Sequence, residues 1–353
     1  MKKVIVALSG GVDSSVSAFL LKSQGFDVIG ITLKLSSVDS CDGGLQVCCS
    51  TKDILDARRV ADFLGIPHFV LDWQDIFKEK VIDYFIREYL SGKTPNPCAI
   101  CNKDVKTGLL GMYVKKILKA DFLATGHYIR TDYIAGKKVL VRGKDDEKDQ
   151  SYFLSLLTRD VVEMLIFPVG EMSKSEVRKI AREESIPVSE KKDSFEICFT
   201  AGKEPFRFLS ERGIYAPEGE VVHISGKVLG KHKGLPAYTV GQRRGISVAW
   251  KEPLYVLDKD ISNNRLIAGE KEHLFTREVQ AENLNILLDL EHWKDIKVQG
   301  RYRQKPIEVE QFSVERNRIK VLLKEPHPKF AVGQVLAVYK DDTLLGGGII
   351  TKN

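Results

Sequence analysis

The sequence predicts an α/β protein: a doubly wound parallel sheet, then a small mixed linker domain, then a C-terminal β-barrel. Three observations carry that expectation. Short apolar runs alternate with amphipathic helical stretches up to about Thr200, the pattern of repeated βα units. Beyond Thr200 the texture changes to period-two alternation with few helix signals. A glycine-bearing loop, Ser9-Gly-Gly-Val-Asp-Ser-Ser15, separates the first strand from the first helix, and ligands of wound sheets bind at such strand ends.

Taken in order, KKVIVAL reads as a buried strand and SSVSAFLLKSQG as a helix stopped by Gly25. VIGITLKL is the next strand. Ser50 and Asp53 form a capping-box pattern before the helix ILDARRVADFLG, which Gly65 stops. HFVLDW is a strand, IFKEKVIDYFIREYL a long helix and DFLATGHY a further strand. LYVLDKDISNNRLIAGE reads as two strands around an Asn263-Asn264 turn. IKVQGRYRQKPIEVEQFSVERNRIKVLL alternates by twos, and GQVLAVYKDDTLLGGGIITK gives short strands. The expected domains are 1–199, 200–273 and 274–353, the last a small barrel or sandwich.

The chain of 353 residues has 43% hydrophobic and 29% charged residues, an ordinary globular composition with room for two or three domains. No apolar run approaches membrane-spanning length, and the apolar start MKKVIVAL is too short for a signal peptide, so the cytoplasm is the expected compartment. Six cysteines in a chain this long do not make a disulfide framework; buried, catalytic or metal-binding roles fit better. A net charge of +6 leans towards a polyanionic partner.

Within SGGVDSS, Gly10 and Gly11 let the backbone turn tightly and aim N–H groups inward. Ser14 and Ser15 add hydroxyls, and the helix N-terminus favours negative charge. This is a place for a phosphate, and not a Walker A loop, since no Gly-Lys-Ser/Thr follows. SGGVDSS resembles the PP-loop of ATP pyrophosphatases, which activate an oxygen by adenylation. After it come TPNPCAICNK, LATGHY, KDQSYFL, FEICF, YTVGQRRG, RYRQ and VGQVLAVY, in the order seen in tRNA-specific 2-thiouridylases of the MnmA type.

The resemblance implies an adenine-nucleotide-binding fold, ATP with Mg2+, and replacement of O2 of a wobble uridine by sulfur. The chemistry agrees: a uridine carbonyl oxygen leaves only once adenylated, and sulfur must then arrive from a nucleophile such as cysteine. By the resemblance Cys198 carries a persulfide and Cys101 is the nucleophile, with Asp13 part of the ATP loop. Either Cys101 attacks the persulfide and releases sulfide, or the persulfide attacks directly; both routes end in a Cys101–Cys198 disulfide that a reductant must reopen. Ala7, Leu8, Ser9, Gly10, Gly11, Val12, Asp13, Ser14 and Gly126 match ATP contacts, and Leu33 an apolar residue against adenine, although core packing explains that leucine equally. Asn96, Pro97 and Cys98 lie in the loop that meets the base. His127, Lys148, Asp149, Gln150, Arg301, Tyr302 and Gln334 match tRNA contacts.

Basic stretches support RNA: residues 227–244 hold five Lys/Arg and no acid, and 299–320 six Lys/Arg against three Glu. The implied partners are the tRNA anticodon stem-loop and a sulfur donor such as a cysteine desulfurase or relay protein, the family suggesting a monomer. Chemistry on a wobble base requires that base to leave its stack.

One position departs from the family: aspartate often stands where this chain has Cys98. Cys98-x-x-Cys101 with Cys198 resembles the arrangement in related thiolases that hold a [4Fe–4S] cluster. Three readings stay open here: a persulfide pair with Cys98 a neighbour, a three-cysteine cluster site, and zinc, which lacks an evident fourth ligand. Cys41, Cys48 and Cys49 lie in a glycine-bearing stretch expected to be a loop. Two other functions remain: a small-molecule PP-loop ligase, and a tRNA-binding or sulfur-carrier protein whose ATP loop is inactive.

Overall fold

A computed structural model describes residues 1–35, 51–193 and 197–352. Ser50 of the capping pattern, Cys41, Cys48, Cys49, and Phe195 and Glu196 of FEICF lie outside them. The first sheet contains β1 (Lys3–Ala7), β2 (Asp27–Lys34), β3 (His68–Asp72) and β4 (Phe122–Ala124). A hairpin, β5 (Ile129–Ile134) and β6 (Lys137–Arg142), then leaves that sheet before β7 (Leu165–Ile166) rejoins it. The order is β3-β2-β1-β4-β7 and every pairing is parallel.

After Lys3 the strand KVIVA is apolar because both its faces are covered. Ile5 faces one hydrophobic cluster, with Ile31, Phe77 and Leu123; Val4 and Val6 face another, with Val16, Val28 and Val60. Helices α1 (Val12–Ser23) and α2 (Thr51–Leu64) supply the second cluster. The long helix expected over 76–90 runs from Gln74 to Leu90 but widens to π geometry over Lys78–Ile82. The strand expected over DFLATGHY is only Phe122–Ala124, because the chain then bends away to place Gly126 and His127.

Next comes a four-stranded sheet with its own core: β8 (Gly219–His223), β9 (Val228–His232), β10 (Tyr255–Asp260) and β11 (Arg265–Gly269), ordered β10-β11-β8-β9. The expected turn joins β10 to β11, with Asn264 at φ +51°. Lys259 of β10 is buried and, with Ile261, packs against Gly92 at the end of the long helix. Its amine has no hydrogen-bond partner among the described residues, and burial pushes its pKa down to about 8.

The C-terminal part is a closed six-stranded barrel. Its strands are β12 (Phe275–Ile286), β13 (Lys297–Gln299), β14 (Ile307–Glu315), β15 (Arg318–Pro328), β16 (Val335–Lys340) and β17 (Thr343–Thr351). They run β12-β15-β14-β13-β16-β17, and β17 pairs back to β12. Where β12 ends, β6 continues the pairing along the same edge, Leu140 opposite Leu344. The hairpin from the first half thus extends a sheet of the last. The buried Lys138 amine donates to the Leu165 carbonyl at 2.6 Å, and Asn285 Nδ2 to the Ser155 and Leu157 carbonyls at 2.9 and 2.6 Å, so this seam is well bonded.

Candidate active site

Strand order reverses at β1, with β2 on one side and β4 on the other, so the crevice lies at the end of β1. There Leu8 N–H donates to the Ile31 carbonyl, 2.8 Å, and Thr32 Oγ1 donates to the Leu8 carbonyl, 2.7 Å. Gly10 has φ +70°, and a Cβ on it would stand 2.2 Å from the Asp53 carbonyl oxygen. Helix α1 starts at Gly11 without a capping side chain. Ser14 does not cap it: its hydroxyl donates to the Gly11 carbonyl and accepts from Ser9 N–H, both 3.1 Å. The first-turn N–H groups therefore suit an anion. Gly126, after β4, comes so close that a Cβ would stand 2.6 Å from the Ser14 nitrogen.

Around this loop four cations interlock with four carboxylates. Lys174 Nζ lies 2.6 Å from Asp13 and 2.8 Å from Asp193. Lys148 and Arg178 also reach Asp193, at 2.9 and 2.8 Å. Tyr128 donates its hydroxyl to Asp13 at 2.7 Å. Lys191 donates to the Gly10 carbonyl (2.9 Å), Asp53 (2.7 Å) and Asp56 (2.6 Å). Burial works to raise the Asp193 pKa, but Lys174 and Lys148 hold it down to about 2. Burial opposes charge on Lys191, yet its two aspartates win and raise its pKa. Lys174 opens a helix fixed by a capping box between Ser173 and Glu176.

The cysteine pair sits on a short helix, Pro97–Cys101. Pro97 presets its first turn, and Asn96 Oδ1 accepts from Ala99 N–H at 3.1 Å. The chain then widens to π geometry over Asn102–Lys106, closed by Thr107 N–H donating to the Asn102 carbonyl, 3.0 Å. Cys101 is buried; burial pushes its thiol up to about 11, opposed by the Lys106 charge and by the Lys106 N–H bonded to the sulfur. Lys106 is in electrostatic reach of His127 too. Burial first and Lys106 second push that imidazole down to about 3, leaving it neutral, with a 2.8 Å hydrogen bond between Nδ1 and Thr125 Oγ1. Gly126 thus borders the phosphate loop at Ser14, while its neighbour His127 and the Cys101 thiol both feel the charge of Lys106.

Cys198 and Ile197 pack against the hydrophobic cluster that contains Cys101. The next residue, Phe199, is clamped edge-on by Phe77, Phe85 and Phe208 at 5.9, 5.1 and 5.3 Å between centroids. The two distant cysteines are brought to one cluster. No group of three or more His, Cys, Asp or Glu side chains among the described residues is placed to hold a metal ion. The three-cysteine iron–sulfur alternative is therefore not supported: Cys98, Cys101 and Cys198 are not grouped as metal ligands.

Several predicted RNA contacts gather around the buried Tyr152. Its hydroxyl donates to the Val335 carbonyl at 3.0 Å and accepts from the Asn96 side chain. Gln334 donates from Nε2 to the Thr94 carbonyl, 2.9 Å, and Thr94 N–H donates to the Val332 carbonyl, 2.8 Å. Tyr302 packs on Phe153, ring centroids 4.5 Å apart, and Arg301 lies beside Gly241 of the middle region. Other predicted residues stand elsewhere. Lys148 faces Asp193 at the phosphate end. Gln150 exchanges two 3.0 Å hydrogen bonds with the Tyr128 backbone. Asp149 is buried, accepting from Arg142, Gly143 N–H and both donors of Ser151. Leu33 is buried in the first core cluster. The sequence does not single out Lys174, Lys191, Lys106 or Tyr152; Lys174, Lys191 and Tyr152 act across long stretches of chain, Lys106 acts through the adjoining π turn, and only Tyr152 lies inside a quoted motif.

Residues 2–202 match a family described as tRNA methyl transferase HUP domain, 207–270 the tRNA methyl transferase PRC-barrel domain, and 276–350 the aminomethyltransferase beta-barrel domain. The chain is 57% identical over 352 residues to the tRNA-specific 2-thiouridylase MnmA of Persephonella marina, covering 99% of each. It is 47% identical to that of Aquifex aeolicus over 357 residues and 49% to that of Hydrogenobaculum sp. over 349, again with 99% of each chain covered. Fold and site together define a PP-loop nucleotide-activating protein that carries a C-terminal β-barrel. More narrowly, the chain belongs to the tRNA-specific 2-thiouridylase family.

Proposed function

We propose that this protein is a tRNA uridine 2-sulfurtransferase. The observation that carries the reading is that Cys198 packs on the hydrophobic cluster that contains Cys101, in a chain whose β1 loop offers an anion the uncapped start of α1. ATP is a substrate: its phosphates take the uncapped start of α1 and the Lys174 side of the crevice, and O2 of the wobble uridine attacks the α-phosphorus, taking AMP as the α–β phosphoanhydride bond breaks. Pyrophosphate leaves first. AMP follows when sulfur from a Cys198 persulfide replaces the oxygen, with Cys101 the second thiol. Mg2+ arrives on the nucleotide, since Asp13 and Asp193 are already matched by lysine.

In this reading residues 1–199 are the catalytic domain, 200–273 a central domain facing tRNA and 274–353 the barrel. Asn96, Pro97, Cys98, Arg301, Tyr302 and Gln334 form the entrance for the flipped base, and His127 its inner wall. Lys148 serves the phosphates; Asp149 and Gln150 position the loop that holds it and Tyr152. The sulfur donor is a cysteine desulfurase or a relay protein, and the enzyme works in the cytoplasm as a monomer. Among the described residues no helix is long and apolar enough to cross a membrane. The test is incubation with ATP, Mg2+, unmodified tRNA, cysteine and a desulfurase, followed by nucleoside mass spectrometry. 2-Thiouridine dependent on all components is expected. Its absence, with pyrophosphate release stimulated by a metabolite instead, would overturn the reading in favour of a small-molecule ligase.

A further inference from the structure

The proposed reaction leaves a disulfide between Cys101 and Cys198, both set against the same hydrophobic cluster, with Cys101 fully buried. Of its two sulfurs, that of Cys101 is buried and that of Cys198 is half-buried. Cys98 and Cys101 occupy positions i and i+3 of one capped turn, Pro97–Cys101. That spacing puts β-carbons about 5–6 Å apart, close to what a disulfide spans after a small adjustment of the turn. The two also differ in access: Cys98 is half-buried, nearer to solvent than Cys101.

We propose that Cys98 is the resolving thiol of the catalytic cycle, an inference that rests on the persulfide reading above. The Cys98 thiolate attacks Sγ of Cys101, the Cys98–Cys101 bond forms, and the Cys101–Cys198 bond breaks. Cys198 leaves as a thiolate and takes up a proton. This exchange moves the disulfide without net oxidation or reduction. A dithiol reductant then reduces the Cys98–Cys101 disulfide to two thiols and is itself oxidised to a disulfide. Cys198 is thereby free to accept a new persulfide before that reductant arrives.

The direction of exchange has a chemical reason. A better leaving thiol has a lower pKa. The apolar setting that raises the Cys101 thiol makes it a poor leaving group, which favours exchange that keeps Cys101 in the disulfide. Attack also falls on the sulfur one helical turn away from Cys98. An aspartate at this position, frequent in the family, has no such chemistry.

Disulfide mapping tests the inference on the full-length protein. The enzyme is loaded with persulfide, given ATP, Mg2+ and tRNA for one turnover without reductant, quenched in acid with N-ethylmaleimide and digested for mass spectrometry. The native protein is expected to yield Cys98–Cys101 with Cys198 alkylated, and Cys98→Ser to yield Cys101–Cys198. With a dithiol reductant present, the ratio of later-turnover to first-turnover rate should fall about tenfold in Cys98→Ser. Accumulation of Cys101–Cys198 in the native protein, or an unchanged ratio in Cys98→Ser, overturns the resolving role and leaves the persulfide reading standing. No disulfide in either protein overturns both. The native measurement needs no variant, so a folding defect in Cys98→Ser leaves the question decidable.

Discussion

At the loop after β1, the reactive surface is made of charge: Lys148, Lys174, Arg178 and Lys191 are locked against Asp13, Asp53, Asp56 and Asp193. At the helix Pro97–Cys101 it is made of hydrocarbon, and the sulfur is kept protonated by burial. The first region is held by its own ion pairs, every one of its four cations being matched by a carboxylate. The second withholds its nucleophile. Burial disfavours its thiolate and the Lys106 charge favours it. The contrast teaches that the ATP end is built for affinity and the sulfur end for timing: a reactive sulfur protected from water until an activated oxygen is present.

The largest test of that contrast is Cys101→Ser. 2-Thiouridine formation should fall at least about a thousandfold while tRNA affinity, measured by filter binding, stays within about threefold. Residual thiolation near the native rate would remove Cys101 from the chemistry. On the charged side, Lys174→Ala should lower tRNA-dependent pyrophosphate release about a hundredfold, with Lys174→Arg partly restoring it; equal rates in all three proteins would deny Lys174 a phosphate role.

Timing can be probed directly. With its thiol near 11 rather than 9, Cys101 in the resting protein should react with iodoacetamide at pH 8 about a hundredfold more slowly than an unhindered thiol, gaining about tenfold per pH unit up to about 11. Rapid alkylation at pH 7 would show the sulfur end to be open. The smallest effect contrasts two buried lysines. Lys191→Met takes their shared lysine from Asp53 and Asp56, with Arg59 still beside Asp56, and should cost about 3 kcal/mol in urea unfolding. Lys259→Met removes an unsatisfied amine and should add about 1–2 kcal/mol near pH 7. The folded state releases that proton near pH 8 and the unfolded chain near 10.4, so native stability rises across this window. The advantage of Lys259→Met should therefore shrink from pH 8 to 10; a constant advantage would refute the titration.

Much of this site was legible in one dimension. SGGVDSS announced an anion loop because glycine, serine and a following helix state their geometry locally, and the ordered motifs tied it to thiolation. The alternation after Thr200 announced strands because one face of each is buried. Less legible was whatever depends on distance. Nothing near Asn102 marks the π turn that lays the Lys106 N–H on the Cys101 sulfur. Lys174 and Lys191 look like ordinary helix and loop lysines until the fold sets them beside Asp13 and Gly10. The hairpin over 129–142 had alternation and an Ala-Gly turn, but its partner is a strand some two hundred residues later.

That last pairing bears on how the chain is made. Leu140 meets Leu344, so β6 leaves the ribosome long before the strand that pairs with it. At about 5–20 residues per second, roughly 200 residues of synthesis separate them by about 10–40 s. Throughout that interval the nascent first half carries an open strand edge, the kind of template on which chains aggregate. A premature stop anywhere before residue 343 leaves that β6 edge without its partner strand.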